Sequence, residues 1–244
     1  MKFCPMPPDW ERAEHYRYYQ TTVFTRYNLN AEIDITETER MRRQMGLKFY
    51  PIFLWMVMHT VNNWKEMRMT TDKDGNPGYW DVCCPVYPVF HEDDHTFSDL
   101  WTEWNPDFSA FYRAVTEDMH TYGDVHGIKA RDNQPMNFTP VSLETWLSFT
   151  GHGSDTFTAP QMLFPIIVGG RYFERDGRIL LPVSISCNHA AADGWHTSQV
   201  LLEIERTARN PEQWMTENAG KLQSSCSAEK PRKLRRIFVF VQKS

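Results

Sequence analysis

The chain has 244 residues, 41% of them hydrophobic and 23% charged, which is enough to bury one large core and too apolar for disorder. No composition break favours a second domain, so residues 1–219 read as a single domain and 220–244 as a partly basic C-terminal extension. A net charge of −5 with no basic stripe argues against duplex binding, and the run Lys230-Pro231-Arg232-Lys233-Leu234-Arg235-Arg236 reads as a solvated tail.

In chain order, residues 8–20 read as a short helix entered through Pro8 and Asp9. Residues 23–35 alternate as a strand does. Thr36-Glu37-Thr38-Glu39 has capping-box spacing and opens a helix to about Met45. Residues 50–64 are apolar over a helical length. Asp72-Lys73-Asp74-Gly75-Asn76 is a turn between two strands, and 86–90 is another strand. Asn105-Pro106-Asp107 starts a helix to about Tyr122. Residues 146–150 read as a strand. Residues 165–174, the turn Arg175-Asp176-Gly177-Arg178 and 179–187 read as a long hairpin, followed by an amphipathic helix over 195–209. The whole predicts an α+β or α/β two-layer sandwich, one large mixed sheet covered by helices.

The five cysteines, an odd number without a C-x-x-C spacing, fit neither a disulfide framework nor a zinc site. Residues 1–9 have no apolar signal core, and the longest apolar stretch, 52–58, falls short of the roughly 20 residues of a membrane span. The expected location is the cytoplasm, and no metal is expected.

The stretch richest in chemistry is Ser186-Cys187-Asn188-His189-Ala190-Ala191-Ala192-Asp193-Gly194-Trp195. A long strand ends in a histidine, small residues leave room beside it, and a helix starts at Asp193. Imidazole can take a proton near neutral pH. A carboxylate is favoured at a helix N-terminus. Taken alone, the same residues also describe a structural histidine with Asp193 as a cap. A metal set of His189, Asp193 and His196 lacks a further ligand at a defined spacing.

His-x-x-x-Asp-Gly after an apolar strand resembles the signature of coenzyme A-dependent acyltransferases. Trp10-Glu11-Arg12-Ala13-Glu14-His15-Tyr16, Lys48-Phe49-Tyr50-Pro51 and the run from Trp80 to Trp101 narrow the resemblance to the chloramphenicol acetyltransferases. Trp146-Leu147-Ser148-Phe149-Thr150 and the hairpin before His189 extend it over about Trp10 to Trp214. That resemblance implies an acetyl-CoA-dependent O-acetyltransferase acting on chloramphenicol, or the same chemistry on another hydroxylated acceptor, or a non-catalytic relative of the fold. It implies a homotrimer with active sites between subunits. His189 would be the general base and Ser142 the donor to the tetrahedral oxyanion. Asp193 and Arg12 would form a supporting ion pair. Tyr19, Val23, Thr25, Tyr27 and Phe97 would line the acceptor pocket, with His152, Ser154 and Val168 at pocket positions where the chain departs from the family. Tyr50, Arg171 and Tyr172 would face the coenzyme. Asn188 stands where the family usually has another histidine. Gly151-His152-Gly153-Ser154-Asp155 lacks the second glycine of a hydrolase nucleophile elbow. His91-Glu92-Asp93-Asp94-His95, although metal-like in composition, reads as a solvated turn.

Overall fold

The structure is a computed structural model and describes residues 1–156 and 162–215. The expected C-terminal extension lies outside them. Two sheets form. Strands β1 (Phe3–Pro5), β3 (Met69–Thr71) and β4 (Pro77–Trp80) make a small antiparallel sheet in the order β1-β4-β3. The large sheet holds seven strands: β2 (Arg26–Asp34), β5 (Cys84–His91), β6 (Thr96–Trp101), β7 (Phe138–Leu143), β8 (Ile166–Gly169), β9 (Phe173–Arg175) and β10 (Arg178–Asn188). Its order is β2-β10-β8-β7-β5-β6, with β9 also paired to β10. The β5–β7 and β7–β8 pairs are parallel, and the others antiparallel.

Among the described residues, five α-helices accompany the sheets: α1 (Ala13–Thr21), α2 (Thr36–Met45), α3 (Phe49–Asn63), α4 (Phe108–Tyr122) and α5 (Gly194–Arg209). Helix α2 packs on β10, α3 on β5 and β7, α4 on β6, and α5 on β2 and β10. Helix α3 is apolar on every side because it lies at the centre, with all of Pro51–Met58 buried. Under these helices the sheet presents Ile33, Val141, Ile167, Leu181, Val183 and Ile185.

Strand β10 carries two patterns at once. Its odd-numbered residues Leu181, Val183, Ile185 and Cys187 fill the core, and the even-numbered Ser184, Ser186 and Asn188 are also buried, on the opposite face. Buried polar groups need partners. Ser184 Oγ donates to the His152 carbonyl at 2.9 Å, Ser186 Oγ bonds Asn28 Oδ1, and Asn188 Nδ2 donates to the Met162 carbonyl at 3.2 Å.

Four readings change. Residues 146–150 are not a strand but a loop, and Trp146 and Leu147 expose their side chains. The central strand nearby is β7, which the sequence reading left out. The hairpin arm over 165–174 is two strands, β8 and β9, interrupted at residues 170–172. The helix over 36–45 forms as expected but without the capping box: Asp34 Oδ1 accepts from Thr36 N and Oγ1 at 3.1 and 2.6 Å, and Glu39 pairs with Arg42 and Arg43. Helix α1 starts at Ala13, after a turn in which Trp10 N bonds the Pro7 carbonyl.

Candidate active site

Strand β10 ends at Asn188, and His189 follows before the chain turns through Ala190, Ala191 and Ala192 into α5. The three alanines are fully buried, so only small side chains fit between the strand end and the helix. The His189 backbone is fixed from two sides. Its N–H donates to the Thr25 carbonyl at 2.9 Å, and its own carbonyl accepts from Arg12 Nη2 at 3.1 Å. Arg12 Nη1 reaches the Asp193 carboxylate, so one guanidinium joins the loop's two ends.

Asp193 also caps α5. Its Oδ1 accepts from Trp195 N at 3.0 Å and from His196 N at 3.4 Å, and His196 Nδ1 lies 2.7 Å from the same oxygen. Burial pushes the Asp193 carboxyl up. The hydrogen bond and charge of His196 and the charge of Arg12 outweigh it and hold the group below its usual range.

The His189 ring is half-buried. It stacks on Tyr19 with centroids 4.0 Å apart and planes 7° from parallel, and Tyr27 lies at 5.2 Å, tilted by 56°. Its Nδ1 is sealed from solvent without a hydrogen-bond partner among the described residues, which leaves Nε2 for proton exchange. Tyr27 OH shares a hydrogen bond with Thr197 Oγ1 at 3.2 Å, and burial raises its phenol above the ordinary value.

Ser142 stands on β7. Strand pairing aligns it with Val168 on β8 and Val168 with Ser184 on β10. Ser142 is therefore two strands sideways and five residues along from His189, roughly 15–20 Å away within one chain. Its Oγ donates to Glu144 Oε1 at 3.3 Å. Tyr50 turns its hydroxyl to the Pro88 and Val141 carbonyls, 3.4 Å from each, and so lies one residue from Ser142.

The remaining expected residues fall into four places. Val23 and Thr25 lead into β2 beside His189, and Val23 is exposed. The loop bearing His152 and Ser154 runs over the polar face of β10: His152 N donates to Asn30 Oδ1 at 3.0 Å, and Ser154 N to Ser186 Oγ at 3.1 Å. Phe97 is exposed on β6, across from Phe90. Arg171 is exposed, its N–H donating to the Leu147 carbonyl at 2.9 Å, and Tyr172 directs its hydroxyl to Glu39 Oε1 at 3.4 Å. A cleft of about 220 Å³ opens between β2, β10 and Phe149, lined also by Asn30, Glu32, Thr150 and Pro182. Glu144 was missed by the sequence reading, although two residues past Ser142 is the spacing that puts side chains on one face of a strand.

The expected solvated turn at 91–95 is only partly so. His91 is buried, its Nε2 2.7 Å from Ser98 Oγ, and stacks at 4.0 Å on His126. His126 Nδ1 lies 2.9 Å from Asp94 and its Nε2 3.5 Å from Asp93, and all three residues are exposed.

The architecture, a mixed sheet backed by helices with a histidine just past its longest strand, places the chain in the class of acyltransferase folds. A solved chloramphenicol acetyltransferase superposes with a TM-score of 0.71 at 19% identity, covering 84% of this chain and 99% of that one. A dihydrolipoamide acetyltransferase of Azotobacter vinelandii does so with a TM-score of 0.62 at 14% identity, covering 84% and 89%. At the sequence level, the family model described as chloramphenicol acetyltransferase matches residues 7–205. The chloramphenicol acetyltransferase of Clostridium perfringens is 38% identical over 209 residues, 86% of this chain and 95% of the relative. That of Streptomyces acrimycini is 34% identical over 210 residues, 85% of this chain and 96% of the relative. The chain belongs to the chloramphenicol acetyltransferase family.

Proposed function

We propose that the chain is an acetyl-CoA-dependent O-acetyltransferase whose acceptor is chloramphenicol. The observation that carries this is His189: a half-buried imidazole with one nitrogen sealed, its backbone held by Arg12 and Thr25, at the end of the longest strand of a family member. His189 Nε2 takes the proton of an acceptor hydroxyl as that oxygen attacks the thioester carbonyl, an aid of about 10²–10⁴ in rate. The tetrahedral oxyanion takes a hydrogen bond from Ser142 Oγ, worth about 10²–10³ in turnover. The thiolate leaves with the proton that His189 holds, which completes transfer of the acetyl group. Tyr19, Val23, Thr25, Tyr27 and Phe97 line the acceptor side, with His152, Ser154 and Val168. Tyr50, Arg171 and Tyr172 serve the coenzyme side, where an exposed cation suits phosphate.

A site using both His189 and Ser142 needs two copies of the chain, because one chain holds them roughly 15–20 Å apart. A homotrimer with three such sites fits this. So do the exposed Val23, Phe24, Trp146 and Leu147, apolar surface suited to a subunit contact. The thiols of Cys4, Cys83, Cys84 and Cys187 are all free, as a reducing cytoplasm would keep them, and no helix among the described residues is long and apolar enough to cross a membrane.

The test is acetyl transfer followed by release of free coenzyme A thiol. Chloramphenicol is expected to drive release, and the product to carry the acetyl group as an ester. Thiol release with other hydroxylated acceptors but none with chloramphenicol would keep the chemistry and replace the substrate. No release with any acceptor would make the chain a non-catalytic relative.

A further inference from the structure

On the reading above, the Ser142 hydroxyl must give its single proton to the oxyanion. In the structure that proton is already engaged: Ser142 Oγ donates to Glu144 Oε1 at 3.3 Å. A carboxylate only accepts, so the bond has one direction, and its length leaves it easily broken. The geometry that brings the two together is built in. Both are half-buried, two residues apart in sequence, and Glu144 N donates to the Gly169 carbonyl at 2.7 Å, which continues the β7–β8 ladder past Leu143. The Tyr50 phenol nearby is pushed well above its ordinary value, first by burial, then by Tyr87 and by the carboxylates of Glu144 and Asp99. Glu144 thus brings negative charge into half-buried surroundings where the reaction is to develop more.

We infer that Glu144 is a positioning residue that withholds the Ser142 hydroxyl from the oxyanion and so sets turnover below what this site can reach. The inference rests on the assignment of Ser142 as the donor. Each turnover must break the Ser142–Glu144 bond and build an oxyanion beside a carboxylate. An amide at 144 removes the charge and can itself donate to Ser142 Oγ, which leaves the hydroxyl proton free.

The experiment is a kinetic cycle on the full chain with acetyl-CoA and chloramphenicol, or the hydroxylated acceptor that the thiol assay selects in its place. Glu144→Gln is expected to raise kcat about three- to tenfold, with both KM values within about twofold, as for a group that acts only in the transition state. Glu144→Asp, which keeps the charge, is expected to stay within about twofold of the parent. In a Ser142→Ala background the Gln substitution is expected to do nothing. A kcat for Glu144→Gln equal to or below the parent, with Ser142→Ala still impaired and melting unchanged, overturns the inference and leaves the serine assignment standing. So does an equal gain with and without Ser142, or an Asp variant as fast as the Gln variant. A Ser142→Ala protein as active as the parent overturns the donor assignment, and this inference with it.

Discussion

Asp193→Asn tests whether the Arg12–Asp193 contact is a working strut. The amide keeps an oxygen for the cap bonds to Trp195 N and His196 N, at 3.0 and 3.4 Å, so the loss is the charge opposite Arg12 and His196. The Arg12 side chain is 10% exposed and that of Asp193 34%. Stripping one member from a fully buried pair costs about 3–5 kcal/mol. With a third of the carboxylate in water, screening reduces this to about 2 kcal/mol. For a chain of this size that lowers Tm by about 4–8 °C. The sign with pH follows from the depressed carboxyl. Its folded pKa lies below the unfolded one of about 3.9, so its contribution is complete above that value and is lost as pH falls through the folded pKa. Urea unfolding at pH 7 and in steps below about pH 4 should show the gap between parent and variant close in acid. A gap under about 0.5 kcal/mol at neutral pH, or one that persists unchanged in acid, refutes the reasoning.

His189→Ala should lower kcat by about 10²–10⁴ while melting and coenzyme A binding, read by thermal shift, stay near the parent; residual turnover above a tenth would remove its role as base. Tyr19→Leu removes the ring stacked at 4.0 Å on His189 and should lower kcat more than it raises either KM, a split read from full kinetics in both substrates. Gly169→Ala puts a Cβ 2.7 Å from Leu143 Cδ1 and 2.9 Å from Phe53 Cζ; overpacking of that sort should cost about 1–3 kcal/mol in urea unfolding.

The readable parts of the fold were those with one clear period. Strand β10 is apolar over residues 179–183 and alternates over 183–188, and the turn at Asp176-Gly177, where both residues take positive φ, marks its start. Helix α5 has an acid at its cap and Val200, Leu201 and Ile204 on its buried side. The failures have local causes. Strand β7 carries Pro140 in its centre, which reads as a strand breaker, but the strand is held by parallel neighbours on both sides. Trp146 and Leu147 form an apolar run like a buried strand, yet their side chains are exposed. In the site, His189 and Asp193 are visible as a strand end and a helix cap. Arg12 lies 181 residues from Asp193 in sequence, and no periodicity connects them, so only the family resemblance did. Glu144 escaped because the resemblance pointed to Ser142 and no element was read over residues 138–145.

The separation of Ser142 from His189 has a consequence for mixtures of damaged chains. Under the proposed inter-subunit site, a subunit lacking the imidazole lends its hydroxyl to a neighbour that has kept the imidazole, so two impaired proteins are expected to rescue each other when refolded together. If the proposed homotrimer assorts at random from equal amounts, about a quarter of its clefts receive an intact pair. Neither parent alone, at any concentration, could recover that quarter.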